Sequence, residues 1–465
     1  MEEGSPAVRK EAFVSRATQD AVKSSSSARI VEQFPTQVET WLLVPVTAPN
    51  FPLAPSGEKT LAGLQGKLLL LYFGSANLQG WQSQLAELKH LHDVQAKGEL
   101  QVVVVNVNEP PNAGETQPPN AARWPFSIIN ASADTVAIYN LLYGKLFDRH
   151  RDMGLPTAFL VDAQGNICKV YQGAVPVKHV LADIHQIPKT PEERTARGLP
   201  FRGGVGESYE FGRNYLSFGS VFYDHGYLEQ AEAYFHLAEK EDPDGADALY
   251  GLGSVYLKQQ KNKEAREYLQ RAVKSQANYP GMMPNAWNNL GIVAAREGHA
   301  NEAIEYFLNA LELSPEHVVA LGNLGSVYRQ KQDWENARAV LERALRVGPD
   351  NPEVNFTMGM LYAQRNDLGR AYEYLQKALA ARSAFPEALD SLGIVYFLTG
   401  RPDEAKRSLE ESIRVAPSYE QSYLDLAKVY ALQGDKAKAR EVLEQLLKIH
   451  PDQPQAQKDL KDLSE

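Results

Sequence analysis

The apolar positions of this chain change their period part-way along it. Between residues 36 and 188, short apolar runs alternate with stretches of helical spacing. Residues 67–73 read as a strand, and so do 100–107, which are nearly all β-branched, as a buried central strand should be. Residues 82–94 carry Leu85, Leu88 and Leu91 on one side and predict a helix, as do residues 135–147. A hairpin is predicted from 158–162 and 167–171 about Ala163-Gln164-Gly165-Asn166, followed by a last helix over 177–187. From about Gly212 onward the pattern is helical throughout and repeats itself. A small residue recurs at Ala231, Ala265, Ala303, Ala337, Ala371, Ala405 and Ala439, with five spacings of 34 and one of 38. The four extra residues fall near Tyr279-Pro280-Gly281, a turn signal.

Other positions recur in step. Twelve residues before these alanines stand Gly219, Gly253, Gly291, Gly325, Gly359 and Gly393, with Ala427 closing the series. Three residues further on come Phe222, Tyr256, Ala294, Tyr328, Tyr362, Tyr396 and Tyr430. Pro243, Pro315, Pro349, Pro417 and Pro451 end most units, and Trp287 starts its first helix. A small residue lets two helices cross closely, a large aromatic fills the gap beside it, and the proline stops the second helix. In these positions residues 212–451 resemble the tetratricopeptide (TPR) repeat family. The resemblance implies seven repeats over 212–453, stacked into an all-α superhelix (an α-solenoid), with 454–465 as a polar capping helix.

The same resemblance implies that the first helix of each unit lines a concave surface that holds a protein or peptide partner. Carried over position by position, the lining is Leu216, Tyr223, Tyr250, Ser254, Asn288, Ile292, Arg296, Arg329, Phe356, Met360, Phe397 and Leu398. The apolar members serve equally well as packing between units. Arg296 and Arg329 are expected to be exposed and to attract an acidic segment. Relatives that clamp a chaperone's C-terminal carboxylate use Lys and Asn at fixed first-helix positions. Leu216, Tyr250, Ser220, Ser254 and Ile292 stand there in this chain, so no such clamp is expected.

The element order of residues 36–188 resembles the α/β thioredoxin-like fold of the TlpA/ResA (redoxin) or thiol-specific antioxidant type. The local matches are Ala48-Pro49-Asn50-Phe51 with Leu53, the strand over 68–73, and Gly154-Leu155-Pro156-Thr157-Ala158-Phe159. The resemblance implies a cis bond before Pro156, facing active-site thiols. Those enzymes carry Cys-x-x-Cys at the start of their first long helix, where the helix N-terminus stabilises a thiolate. Leu78 and Trp81 stand at the two positions here. Exchange needs an attacking thiolate, so a redox-inactive domain is expected. Cys168, on the strand after the hairpin turn, reads as a small packing residue. His90 and His92, two apart on a helix, do not share a face. Arg149-His150-Arg151-Asp152 reads as a charged helix end. No phosphate loop, metal spacing or nucleophile motif is present, and neither a catalytic residue nor a cofactor is expected.

Composition narrows the function further. The 465 residues are 43% hydrophobic and 23% charged, an ordinary globular balance for two or three domains. A net charge of −10 without a Lys/Arg run argues against a nucleic-acid partner held through phosphates. No apolar stretch approaches the roughly 20 residues of a membrane span. A single Cys excludes an internal disulfide. The start Met-Glu-Glu-Gly-Ser lacks a secretory pattern; the expectation is a cytoplasmic chain or a piece of a longer, exported precursor. Residues 1–35, with Ser24 to Ser27, are expected to be disordered or to belong to an upstream element. Residues 189–211 are expected as a linker. Its Ile187-Pro188-Lys189-Thr190-Pro191-Glu192-Glu193-Arg194, then Leu199-Pro200-Phe201, resembles the join in large bacterial proteins that carry FG-GAP repeats, an ASPIC/UnbV region and TPR units. The function expected is an interaction scaffold. The alternative is a thiol-disulfide oxidoreductase or antioxidant that uses Cys168 or a partner's thiol.

Overall fold

The computed structural model of the chain describes residues 38–53, 59–107, 124–147, 152–198, 214–275 and 280–463. The segments 1–35 and 149–151 lie outside these residues, as does 199–213 of the expected linker. Two compact units are present, Met1–Tyr234 and Phe235–Glu465.

The first unit holds a six-stranded mixed sheet in the order β1-β6-β5-β2-β3-β4. The strands are β1 (Val38–Thr47), β2 (Leu69–Gly74), β3 (Gln101–Asn106), β4 (Ser127–Asn130), β5 (Thr157–Val161) and β6 (Asn166–Gln172). β2, β3 and β4 run parallel, whereas β5 and β6 form an antiparallel hairpin whose β5 pairs with β2. β1 closes the other edge, antiparallel to β6. Both faces of the centre are covered, which is why β2 and β3 read as unbroken apolar runs. On one face Leu70, Tyr72, Val102, Val104 and Leu160 pack with Trp81, Leu85 and Leu88 of helix α1 (Trp81–Leu88). On the other, Phe73 and Phe159 meet Tyr139 of α3 (Ala133–Phe147) at ring distances of 4.7 and 5.5 Å. A 3-10 turn, Lys89–Leu91, interrupts the predicted helix over 82–94 before α2 (His92–Ala96). α4 (Val177–Asp183) follows the hairpin.

The expected linker begins as structure. Helix α5 (Pro191–Gly198) packs on β1. Its start is a capping box: Thr190 Oγ1 accepts from Glu193 N at 3.3 Å, and Glu193 Oε2 accepts from the backbone N of Lys189 at 2.6 Å. α6 (Tyr215–Asp224) also belongs to the first unit. It packs on α3, Lys145 Nζ donates to Ser217 Oγ at 2.8 Å, and Tyr234 OH donates to Thr47 O at 3.0 Å.

From α7 (Leu228–Glu241) onward the described residues form helices joined by turns. The pairs are α8 (Ala246–Lys258) with α9 (Asn262–Ala272), α10 (Met283–Arg296) with α11 (Ala300–Leu313), α12 (Val318–Gln330) with α13 (Trp334–Val347), α14 (Pro352–Gln364) with α15 (Leu368–Ala381), α16 (Pro386–Leu398) with α17 (Pro402–Val415), and α18 (Glu420–Leu432) with α19 (Lys436–Ile449). α20 (Pro454–Asp462) closes the row and buries Ala456. Every recurring alanine is fully buried. A Cβ placed on Gly253, Gly325, Gly359 or Gly393 would lie 2.5 to 2.9 Å from a Leu side chain of the pair's second helix. The helices therefore cross with backbone against side chain. The turn inside each of these six pairs uses a left-handed residue, at Gln260, Gly298, Gln332, Asn366, Gly400 and Gly434, and Gly226 before α7 stands in the same register.

Overpacking one crossing tests this arrangement. Gly325→Val pushes a branched side chain into Leu341, whose Cγ is 2.5 Å from an ideal Cβ at 325. The substitution should lower stability by about 1–3 kcal/mol in denaturant melts. Gly281→Ala, with open space at its Cβ, should leave the melt unchanged.

Candidate functional site

Each first helix of the second unit has one face turned from its partner helix. On α14 the buried positions are Val354, Asn355, Met358, Gly359, Leu361 and Tyr362, while Glu353, Phe356, Met360 and Ala363 lie half-buried or exposed between them. The spacing of 3, 4 and 3 is one stripe of a helix. The same offsets give Glu387, Asp390, Ile394 and Phe397 on α16, and Gln421, Leu424, Lys428 and Ala431 on α18. Consecutive first helices touch one another, so the stripes join into one face.

Polar bonds run along this face. Asn289 Nδ2 donates to Ser254 Oγ at 3.2 Å, and Asn323 Nδ2 to Asn288 Oδ1 at 2.9 Å. Arg296 Nη1 donates to Leu257 O at 3.0 Å. Ser422 Oγ donates to Asp390 Oδ1 at 2.9 Å. Ser254 and Asn288 are buried in making these bonds; they stitch adjacent helices together and are not open lining.

The other lining residues divide in the same way. Leu216 and Tyr223 are half-buried in the first unit. Tyr250, Ile292, Phe356, Met360 and Phe397 are half-buried in the second, and Arg296 and Leu398 are exposed. Ile292 packs on the central core, Phe397 packs on the C-terminal core, and Phe356 meets the buried Phe385 at 5.1 Å. Arg329 departs from expectation: it is half-buried, not exposed. Burial lowers its pKa, and its Nε has no hydrogen-bond acceptor among the described residues. It stands one helical turn beyond Ser326 on the shared stripe.

Asp390 is the residue that sequence reading missed. It is only 6% exposed. Burial first, then the charges of Asp425 and Glu387, raise its pKa to about 7 against the pull of the Ser422 hydrogen bond. Tyr419, beside the same three carboxylates, is raised by burial first and then by their charges.

Four family models described as tetratricopeptide repeat match residues 216–282, 282–350, 324–391 and 396–461. This chain is a tetratricopeptide repeat protein. Protein O-mannosyl-transferase TMTC3 of Homo sapiens is 33% identical over 104 residues, which are 22% of this chain and 11% of that protein. The chain thus spans about a tenth of the length of this curated relative. Among solved structures, the APC/C hetero-tetramer Cut9–Hcn1 is similar at a TM-score of 0.48 and 19% identity, over 59% of this chain and 52% of that one. PilW, a type IV pilus biogenesis factor, is similar at 0.41 and 22%, over 46% of this chain and 98% of that one. The pilF structure of Pseudomonas aeruginosa is similar at 0.39 and 23%, over 46% and 96%.

The positions that resemble those of the thiol enzymes lie in the first unit. Trp81 is buried, its ring 6.1 Å from Tyr72, and a Cβ on Gly74 would lie 2.6 Å from it. Leu78 and Pro156 are half-buried, and the Leu155–Pro156 bond is cis. Cys168 is buried, its Sγ donates to Leu160 O at 3.2 Å, and burial pushes its pKa up to about 12. His90 and His92 are both exposed. Among the described residues no group of three or more His, Cys, Asp or Glu is arranged to hold a metal, and no helix is long and apolar enough to cross a membrane.

Asp390 makes stability depend on pH. An unfolded Asp titrates near 3.9 and the folded one near 7, so between these values the folded chain holds a proton that the unfolded chain has lost. This contribution to stability therefore falls as pH rises across that window. Asp390→Asn should flatten the fall, so that its gain over wild type in denaturant melts grows from about zero at pH 4 to a few kcal/mol at pH 8. A gain independent of pH would show that Asp390 does not titrate in this way.

Proposed function

We propose that the chain is a scaffold in which the joined face of the TPR first helices holds a peptide segment of a partner, next to a thioredoxin-like domain without redox activity. A TPR array supports protein–protein interaction. The observation that carries the more specific reading is Arg329, a half-buried guanidinium on that face whose Nε has no acceptor among the described residues. A desolvated fork of this kind is poised for a carboxylate. The half-buried Phe356 and Phe397 on the same face offer aromatic area, where binding energy concentrates.

The redox-inactive reading draws on different residues. The mixed sheet, the hairpin and the helix that begins at Trp81 suit a thioredoxin-like domain, and Leu78 and Trp81 supply no thiol. Thiol chemistry at Cys168 is disfavoured, because a buried thiol with a raised pKa provides little thiolate.

Two measurements follow. Insulin reduction by the purified chain, free of contaminating thioredoxin, should stay at background, and turnover that disappears in Cys168→Ser would reverse the redox reading. Affinity capture with the full chain, quantified by mass spectrometry, should yield a partner that Arg329→Glu and Phe397→Ala each deplete. Melting curves run alongside must show both variants folded. Capture untouched by either substitution would mean that this face is not the working surface.

A further inference from the structure

Several acidic side chains of the array are paired with a cation. Arg266 bonds Glu297 and Glu302, Arg382 pairs with Glu353 at 2.9 Å, Arg401 with Glu404 at 3.1 Å, and Lys406 with Asp403 at 2.8 Å. The first-helix face of the last two repeats differs. Glu387, Asp390 and Asp425 lie there close enough to act on one another, and none has an ion-pair partner among the described residues. Lys428, one turn beyond Asp425, is exposed and pairs with neither. Asp390 is more than nine-tenths buried, and its one hydrogen-bond donor is the Ser422 hydroxyl. Leaving a buried charge without a counter-charge costs stability that the free chain does not recover.

Exposed apolar surface lies further along the same two helices. Leu398 is 59% exposed and Leu432 is 63% exposed. They hold the same position in successive repeats, 34 residues apart, and flank Phe397 and Leu424 of the same face. The two exposed leucines in register lie about two helical turns beyond the carboxylates, so these two first helices carry negative charge toward one end and apolar surface at the other. Charge complementarity decides the occupant. A neutral apolar segment would leave the carboxylates desolvated and unpaired, and an acidic one would meet three like charges.

We propose that the first-helix face of α16 and α18 binds a peptide segment of a partner protein in which Lys or Arg alternates with large apolar residues. This deepens, and rests on, the reading of the TPR face as a peptide scaffold. The cation sits between Asp390 and Asp425, and the apolar neighbours cover Leu398 and Leu432. Arg329 lies two repeats earlier on the same face, so the sign of charge reverses along the row. A segment that also carries an acidic residue toward Arg329 would bind in one direction only.

The probe is a random dodecapeptide library displayed on phage and selected on the full chain, with the enriched peptides synthesised and titrated by fluorescence anisotropy. Enriched sequences should combine Lys or Arg with Leu, Ile, Phe or Met. The double variant Asp390→Asn/Asp425→Asn should weaken them about tenfold or more, the size of one lost charged hydrogen bond. High salt should weaken wild-type binding and hardly affect the variant. The variant keeps an acceptor for Ser422 and loses the uncompensated charge, so its melt should match or exceed wild type. Peptides without a basic preference, or with affinity indifferent to the double variant, overturn the proposal. If those same peptides respond to Arg329→Gln, the scaffold reading survives. If no peptide is enriched on wild type, both fall.

Discussion

The array depends on how closely two helices can cross. At Gly253, Gly325, Gly359 and Gly393 a leucine of the partner helix occupies the place a Cβ would take. The buried alanines leave the matching room on the second helix. Once each pair is locked at this distance, the leucine, alanine and aromatic positions of one repeat have a fixed place against the next. The same contact set then recurs with the period of the sequence. The left-handed turn residue inside each pair follows from this geometry, since the chain must reverse within a few residues to bring the second helix back.

The crossing also determines what remains available for binding. A first helix that turns its glycine side to its partner and its flanks to adjacent repeats has one stripe left over. In the middle of the row that stripe is spent on cohesion, through the Asn289–Ser254 and Asn323–Asn288 bonds. Further along it carries Arg329, then Phe356, then Asp390, groups whose charge or apolar area finds no full partner inside the chain. A buried charge without a counter-charge costs stability, and the proposed ligand role would account for keeping it.

The repeats were legible because a packing rule applied seven times leaves a register in the sequence. The central strands were legible because burial on both faces demands continuous apolar runs. What escaped were elements that satisfy weaker demands. β1 is an edge strand interrupted by Pro45 and mostly half-buried, and β4 is four residues long. α5 is polar almost throughout, although Thr190-Pro191-Glu192-Glu193 carries a capping signal that could have marked it. In the site, periodicity identified the stripe but not the depth of each side chain. Arg329 looked exposed because Arg usually is, yet it is half-buried. Ser254 and Asn288 were read as lining, and the bonds that bury them come from residues a full repeat away. Asp390 gave no signal, since a lone acid on an amphipathic helix is ordinarily solvated.

Hydroxyl-radical footprinting, read residue by residue by mass spectrometry on the chain with and without a bound partner segment, tests most directly whether the first helices form the working face. Met360, Phe397, Leu398 and Leu432 should lose reactivity on binding, while Leu313 and Val347, exposed at the ends of second helices, should keep theirs. Protection of Leu313 and Val347 with the first-helix residues unchanged would contradict the account.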